Sequence, residues 1–213
     1  MSFLPDGHTL FLYSIACLIL FITPGPDMSL WLAKTLSGGR RGGSAAMLGT
    51  NVGCLIHTVF AAVGLSALLA ASATAFTALK IVGALYLLWL AFDAIRSGSA
   101  LNVNAEAAPP ASFMKNFMIG LGINITNPKV VLFFLTFLPQ FVQANDPSAS
   151  AKMLFLGLYF IGFNLPFSFI MILGAERLIG WLKRRPRFLR GIDVTFAGVF
   201  GFFAFKILTT QAK

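Results

Sequence analysis

Long apolar stretches dominate the chain and predict membrane-spanning helices. A spanning helix needs about 20 apolar residues, and six segments of roughly that length occur, two of them interrupted by proline. The segments are Leu10–Leu36, Ser44–Leu69, Phe76–Ile95, Phe113–Phe137, Met153–Ala175 and Gly191–Leu208. They are too long and too uniformly apolar for barrel strands, which alternate over about 10 residues. The pattern therefore predicts an all-α integral membrane protein with six transmembrane helices.

The second and third segments form one charge-free run of 38 residues, from Gly42 to Leu79. A single span does not need that length, so we expect a turn among the small residues at 70–74. The first segment is preceded by Asp6 and His8 and by no basic residue. A cleaved signal peptide begins with a basic region, so we expect the first segment to stay in the protein.

A polar stretch divides the six segments into two sets of three. It predicts one transporter domain over 1–213, with a first repeat at about 8–96, a linker at 97–112 and a second repeat at 113–208. Because each set has an odd number of spans, the two sets must run in opposite directions through the membrane. The sequence therefore predicts a 3+3 inverted repeat.

Composition excludes an ordinary soluble domain. The chain is 57% hydrophobic and 11% charged, whereas soluble domains carry about 25% charged residues. The mean hydropathy of +0.83 also indicates an exterior that faces lipid. The same numbers exclude a disordered or collagen-like chain.

The net charge of +9 is explained by where the basic residues lie. Those near the loops after the first, third and fifth segments are Lys34, Arg40, Arg41, Arg96, Lys115, Arg177, Lys183, Arg184, Arg185, Arg187 and Arg190. The opposite side has Lys80, Lys152, Lys206 and Lys213. The positive-inside rule then predicts that the three basic loops are cytoplasmic and that both termini face outward. We expect the basic residues to meet anionic lipid headgroups and not nucleic acid.

The first and fourth segments are broken at matching places. Thr23-Pro24-Gly25-Pro26-Asp27 begins about 15 residues after His8, and Asn127-Pro128-Lys129 begins about 14 residues after Phe113. Proline has no backbone donor and disfavours helix at the residue before it. Freed backbone groups are tolerated in a membrane only inside protein or beside a watery cavity. Paired breaks therefore predict a transporter binding site, with ordinary proline kinks as the alternative.

Asp27 and Lys129 follow the two breaks and have opposite charges. Charge inside a membrane costs about 3 kcal/mol or more, so we expect both side chains to face an interior cavity. A zwitterionic amino acid would suit it, with its carboxylate near Lys129 and half-helix amides and its ammonium near Asp27 and freed carbonyls. The alternative is a fixed structural ion pair.

Other intramembrane polar residues are weaker candidates for the same pathway. His57 could relay protons or simply bond a neighbour, and Asn51 lies six residues before it. Asn164 could line the cavity or join helices.

Further expectations concern packing and surface: Gly49 and Gly53 as a close-packing face, Cys17 and Cys54 as small buried hydrophobes, and Trp31, Trp89 and Trp181 as interface anchors. The sequence has no metal-binding spacing, no cofactor motif and no HExxH or GxSxG motif, so we expect neither cofactor nor enzyme activity.

Taken in order, these motifs resemble the LysE/RhtB family of bacterial amino-acid exporters. The matching residues are Thr23-Pro24-Gly25-Pro26-Asp27, the spaced set Gly49, Gly53 and His57, Gly83-Ala84-Leu85-Tyr86-Leu87, Asn127-Pro128-Lys129, Phe133-Phe134 and Leu138-Pro139-Gln140-Phe141. The first and fourth segments carry the specific part of the resemblance, which covers nearly the whole chain.

The resemblance implies an inner-membrane permease that exports amino acids or close derivatives by proton antiport. It places function on Pro24, Gly25, Pro26 and Asp27 and on Asn127, Pro128 and Lys129. It allows a homodimer, although no residue of the sequence predicts one. An uncoupled channel and an importer for a small zwitterionic or ionic solute remain as alternatives.

Overall fold

The computed structural model describes residues 4–98, 111–142 and 146–210, and within them every regular element is helical. The α-helices are α1 (Gly7–Ile22), α2 (Pro26–Phe60), α3 (Ser66–Ala71), α4 (Ala73–Ser97), α5 (Phe113–Thr126), α6 (Pro128–Leu132), α7 (Ala149–Leu173), α8 (Ala175–Lys183) and α9 (Pro186–Thr210). Two π-helical turns, Ala61–Leu65 and Phe133–Phe137, continue α2 and α6, and a 3-10 turn, Leu138–Phe141, follows the second. The predicted all-helical class is confirmed for this part of the chain.

Four helices in the described residues are long and apolar enough to cross a membrane, namely Pro26–Leu65, Thr77–Arg96, Ala149–Leu173 and Pro186–Thr209. A fifth crossing results if Phe113–Thr126 and Pro128–Phe141, which are bent by 54°, count as one span. The helix α1 is apolar but shorter. Length and composition thus support four or five of the six expected spans. Of the predicted linker 97–112, residues 99–110 lie outside the described residues.

Gly39 divides α2 into two helices, 26–38 and 40–60. Its backbone has φ 66° and ψ −176°, a combination that essentially only glycine adopts. Without this break, the 40 residues of Pro26–Leu65 would extend about 60 Å, twice the hydrocarbon thickness. The helix that begins after Gly39 is long enough by itself for one crossing. Ser72, which is extended between α3 and α4, lies within the stretch predicted to turn.

Gly39→Ala should destabilise the protein while the neighbouring Gly38→Ala should not. Alanine at 39 would be forced into the positive-φ region, at a cost of about 1–3 kcal/mol. A Cβ at either position meets nothing within 4 Å, and of the two glycines only Gly39 has a positive φ. Thermal unfolding in detergent would measure the difference, and equal midpoints for the two variants would contradict it.

The first and fourth segments each contain an interruption with an ordered backbone. At the first break, residues 23–25, α1 ends at Ile22 and α2 begins with Pro26. At the second break, Asn127, α5 ends and α6 begins with Pro128. Proline suits the first position of a helix because that amide needs no helical partner. The Asn127 side chain caps α6 by accepting a hydrogen bond from the Lys129 amide at 3.1 Å.

The most extensive helix contact joins α2 to α5. A Cβ built at Gly49 would lie 2.0 Å from the Phe117 carbonyl oxygen, and one at Gly120 would lie 2.1 Å from the Ala46 carbonyl oxygen. At Gly53 a Cβ would lie 2.3 Å from Oδ1 of Asn124. The backbones are therefore in direct contact, which confirms that Gly49 and Gly53 form a close-packing face. This packing holds the first half of the chain against the second.

A buried aromatic cluster joins α1, the turn Phe133–Phe137, α7 and α9. The ring centroids of Phe133 and Phe160 are 4.7 Å apart, and those of Phe137 and Phe200 are 5.2 Å apart. The Tyr13 hydroxyl belongs to the same cluster and donates to the Leu156 carbonyl at 3.0 Å. The cluster fills the space between these helices and belongs to the largest buried apolar core of the described residues.

Candidate functional site

A cavity of about 70 Å³ lies between the two breaks. Such a volume has room for several water molecules. Seven predicted site residues line it: Thr23, Gly25, Asp27, Asn51, Asn127, Lys129 and Asn164. Tertiary folding thus gathers polar residues from α2, α7 and both breaks around one space, which we call the central cavity.

The Asp27 carboxylate is held by two asparagine amides from the second half of the chain. Asn124 Nδ2 donates to Oδ2 at 2.6 Å, and Asn127 Nδ2 donates to Oδ1 at 3.0 Å. Asp27 also lies in the first turn of α2, where the positive end of the helix dipole favours an anion. A buried charge is tolerated only when its hydrogen bonds are made, and these three features provide that.

The Lys129 ammonium binds the backbone on the other side of the first break. Its Nζ donates to the Leu20 carbonyl at 3.0 Å and to the Thr23 carbonyl at 2.8 Å. It also lies 5.4 Å from the centroid of the Phe196 ring, within the range of a cation–π contact. Lys129, which follows the second break, therefore caps the carboxyl end of α1 at the first break.

Asp27 and Lys129 meet at one cavity without pairing directly. In the described part of the chain, an ion pair within 4.0 Å joins Lys152 to Asp146, whereas none joins Lys129 to Asp27. Each central charge is instead bound by dipoles of the opposite half of the chain. The alternative of a fixed Asp27–Lys129 ion pair is therefore not the geometry of this structure.

Four of the predicted residues lie outside the cavity lining. Pro24 and Pro26 border a neighbouring surface groove, while Pro128 and His57 line neither space. The His57 ring stacks on Phe134 at 5.7 Å, and its Nε2 is 3.4 Å from the Asn124 carbonyl oxygen. His57 therefore contacts the residue that holds Asp27, one step away from the cavity itself.

Sequence reasoning missed several groups at this site. Asn124 is fully buried, donates to Asp27, and also approaches Cys54 Sγ at 3.5 Å. Its spacing of three residues before Asn127 was the available signal, since that spacing puts both amides near one helix face. Cys54 lies at the cavity and is also buried, which agrees with the expectation of a small buried hydrophobe.

Trp31 is the clearest correction. It is 7% exposed, lines the central cavity, and its indole nitrogen donates to Thr50 Oγ1 at 3.0 Å. The prediction that it anchors the membrane interface is wrong, because Trp31 lies on the first turns of the helix that starts at the break and so points inward. Trp89 and Trp181 are 53% and 40% exposed, as interface anchors would be.

Asn164 leaves an acceptor free at the cavity. Its Oδ1 is buried and, within the described residues, has no hydrogen-bond partner, while its backbone carbonyl accepts from Ser168 Oγ at 2.9 Å. Buried polar atoms are nearly always bonded, so an unpaired oxygen facing a cavity is suited to a ligand ammonium or a water. The described residues contain no group of three His, Cys, Asp or Glu side chains that could hold a metal ion.

A second, larger cavity of about 430 Å³ lies at the end of the bundle where α1, α4 and α7 begin and α9 ends. Its charged lining residues are Asp6, His8, Lys80, Asp146, Lys152 and Lys206. Lys152 Nζ lies 2.5 Å from the Asp146 carboxylate, and this hydrogen bond lowers the pKa of Asp146 below its ordinary value. This end of the protein therefore carries charges of both signs.

The opposite end of the bundle is basic. Arg40 and Arg177 border one surface cavity, and Arg190 donates to the Ala94 and Ile95 carbonyls at the end of α4. A cluster of exposed arginines continues between α8 and α9. Described basic residues that are far apart along the chain thus lie close together here, Arg40 beside Arg177 and Arg190 beside the end of α4.

Comparison with known proteins gives one family. A family model described as LysE type translocator matches residues 18–211. The chain is 30% identical to a homoserine/homoserine lactone efflux protein of Salmonella typhi, over 89% of this chain and 91% of that protein. It is 24% identical to a leucine efflux protein of Klebsiella pneumoniae, with 94% of each chain covered. It is 34% identical to an uncharacterized membrane protein of Bacillus subtilis, over 65% of this chain and 70% of that protein. No solved structure matches the chain.

Proposed function

The chain belongs to the LysE type translocator family, and from this premise we propose that it exports amino acids or close derivatives across the bacterial inner membrane by proton antiport. Translocators and efflux proteins are transporters and not enzymes, and the apolar helices make this a multi-pass membrane protein. The two relatives named for efflux of homoserine and of leucine support an amino-acid substrate.

One observation carries the proposal: the charged residue that follows each break is bound by groups at the other break. Asp27, after the first break, is bound by Asn127 at the second, and Lys129, after the second break, binds Leu20 and Thr23 at the first. Broken helices that present backbone groups and opposite charges to one cavity are typical of transporter sites for zwitterions. The central cavity would hold the substrate between them.

We propose that six spans form a 3+3 inverted repeat with the first and fourth broken at proline. The contacts of α4 with α9 and of α2 with α7 support it, because these pairs occupy corresponding places in the two repeats. The division of α2 at Gly39 supports a first span made of α1 and 26–38, followed by a second that starts at 40. Rocking of the repeats around the cavity would give alternating access.

We propose Asp27 as the coupling carboxylate and His57 as the second candidate. Protonation of Asp27 from outside would remove a negative charge that favours the substrate ammonium in the central cavity, and so release the substrate. The position of His57 against Asn124, which itself donates to Asp27, supports a relay. Aspartate and histidine side chains form proton relays in membrane transporters, and His57 reaches Asp27 through Asn124, whose backbone carbonyl contacts the ring and whose side chain donates to the carboxylate.

The proposed orientation places the basic end of the bundle in the cytoplasm and both termini outside. The support is that Arg40, Arg177 and Arg190 lie at one end, while Asp6, Lys152 and Lys206 share a cavity at the other. Anionic headgroups would bind the basic end, since each basic residue near a charged surface gains about 1 kcal/mol.

Counterflow in proteoliposomes tests the function. Vesicles loaded with unlabelled amino acids, homoserine and leucine among them, should accumulate the labelled amino acid transiently, because a carrier exchanges substrate across a closed site. An imposed proton gradient should then drive net export. Flux without counterflow would indicate a channel, and uptake in cells instead of efflux would indicate an importer. A screen of amino-acid export from cells fed with dipeptides would identify the substrate.

A further inference from the structure

The Lys129 ammonium occupies a place where a helix has lost its own hydrogen-bond donor. In a continuous helix the Leu20 carbonyl would accept from the amide of residue 24, but Pro24 has no N–H. Ile19 keeps its partners, since it accepts from the Thr23 amide at 3.1 Å and from Thr23 Oγ1 at 2.6 Å. Lys129 supplies the donor that the Leu20 carbonyl has lost, and it also donates to the Thr23 carbonyl at the first break.

These carbonyls form a site for a single positive charge. Both acceptors are neutral, and they lie at the carboxyl end of α1, where the helix dipole favours a cation. The Phe196 ring 5.4 Å from Nζ is a third uncharged partner. The contacts of Nζ with the two carbonyls and the ring are to uncharged groups, while Asp27 and Asp193 act on the ammonium through their negative charge. Another ammonium in the same place would keep all of these interactions.

Lys129 covers this site with one flexible side chain. A Cβ built at Gly25 would lie 3.7 Å from both Cδ and Nζ of Lys129, so the lysine stem passes directly beside the glycine of the first break. Lys129 itself belongs to the five-residue helix α6 on the second break. A movement of α6 away from α1 would therefore withdraw the ammonium and leave the Leu20 and Thr23 residues, which line the central cavity, without their donor.

We propose that the carboxyl end of α1 is the subsite for the substrate α-ammonium, and that Lys129 occupies it when no substrate is bound. This inference rests on the proposed export of amino acids. The incoming ammonium takes the Leu20 and Thr23 carbonyls, and the displaced Lys129 ammonium pairs with the substrate carboxylate. Both charges of the zwitterion are then satisfied, and the site's net charge does not change.

The exchange also defines the substrate class. An amino acid must carry an ammonium that can replace that of Lys129 and an anionic group that can receive the displaced lysine. A simple amine has the ammonium but no anionic group. It should therefore bind the two carbonyls without being transported, which makes small amines a specific probe of this subsite.

Amine rescue of a Lys129→Ala variant tests the inference. Counterflow of a labelled mixture of amino acids and homoserine should fall about tenfold or more in this variant, the size of losing a charge-assisted hydrogen bond. Methylammonium on both sides of the membrane should restore a large part of the rate, because it fills the vacant carbonyl site. Methanol at the same concentration is the neutral control and should restore nothing. Lys152→Ala, which removes the lysine of the partly buried Lys152–Asp146 ion pair away from the central cavity, should be unaffected by either compound.

A second variant keeps the test decisive if the alanine variant does not fold. Lys129→Cys would be treated with 2-aminoethyl methanethiosulfonate, which restores an ammonium, or with methyl methanethiosulfonate, which does not. The first should restore counterflow and the second should not. The protein that keeps Lys129, treated in the same way, measures any effect through its own free cysteines, Cys17 and Cys54, of which Cys54 lines the central cavity. Equal effects of the charged and neutral reagents, or no rescue in a folded variant, would overturn the inference. Absence of counterflow in the unmodified protein would instead contradict the proposed function.

Discussion

Asp27→Asn should abolish the response of export to a proton gradient and lower export itself by about tenfold to a hundredfold. The carboxylate accepts hydrogen bonds from the side-chain NH₂ groups of both Asn124 and Asn127. An asparagine at position 27 has one acceptor oxygen, so its own NH₂ group would have to face the NH₂ group of one of these residues. Leaving a buried donor unpaired costs about 1–3 kcal/mol, and 1.4 kcal/mol is a factor of ten. The variant also lacks the group that we propose to carry the proton. Export from proteoliposomes with and without a pH gradient would measure both effects.

Asp146→Asn is the matched control for this substitution. Asp146 pairs with Lys152 at the end of the bundle, and neither residue lines the central cavity, so export should change little. Asp27→Asn with export that still follows the gradient would remove Asp27 as the coupling residue. Recovery of export in the double exchange Asp27→Lys with Lys129→Asp would indicate a purely structural pair. We expect no recovery, since each residue is bound to different backbone and amide groups.

Gly120→Ala should destabilise the protein severely, whereas Gly122→Ala, two residues along the same helix, should have almost no effect. The added methyl at 120 would lie 2.1 Å from the Ala46 carbonyl oxygen, and a backbone atom cannot move aside as a side chain can. Overpacking of a close interface costs about 1–3 kcal/mol and occasionally more. At Gly122 a Cβ meets nothing within 4 Å.

The folded fraction of the two glycine variants after solubilisation, together with their thermal midpoints in detergent, would measure this difference. Alanine favours helix over glycine by about 1 kcal/mol, so Gly122→Ala could even raise the midpoint slightly. Similar midpoints for both variants would mean that α2 and α5 are not packed as closely as the structure has them. Reduced folding of Gly120→Ala would also show that contact between the halves is needed to assemble the central cavity.

Much of this protein could be predicted from sequence because a membrane imposes simple rules. Apolar length predicted the helices, and proline at Pro24 and Pro128 predicted where two of them would stop, since the chemistry of a missing donor is local. Gly39 was harder to recognise. It follows another glycine, and only the observed φ of 66° distinguishes the two. Trp31 was misjudged because its distance from the segment end did not reveal which face of the helix it occupied.

The sequence by itself determined that this chain is a helical membrane protein of the LysE type, with two broken segments that each carry one charged residue directly after the break. Those features depend on composition and on neighbours along the chain. The tertiary structure decided what the charges bind. Asp27 meets Asn124 and Asn127, about 100 positions away, and Lys129 meets the Leu20 carbonyl, whose helical donor is missing at Pro24 in the other half. Such partners depend on how closely α5 packs on α2, and that distance is set by glycines whose contacts no local pattern contains.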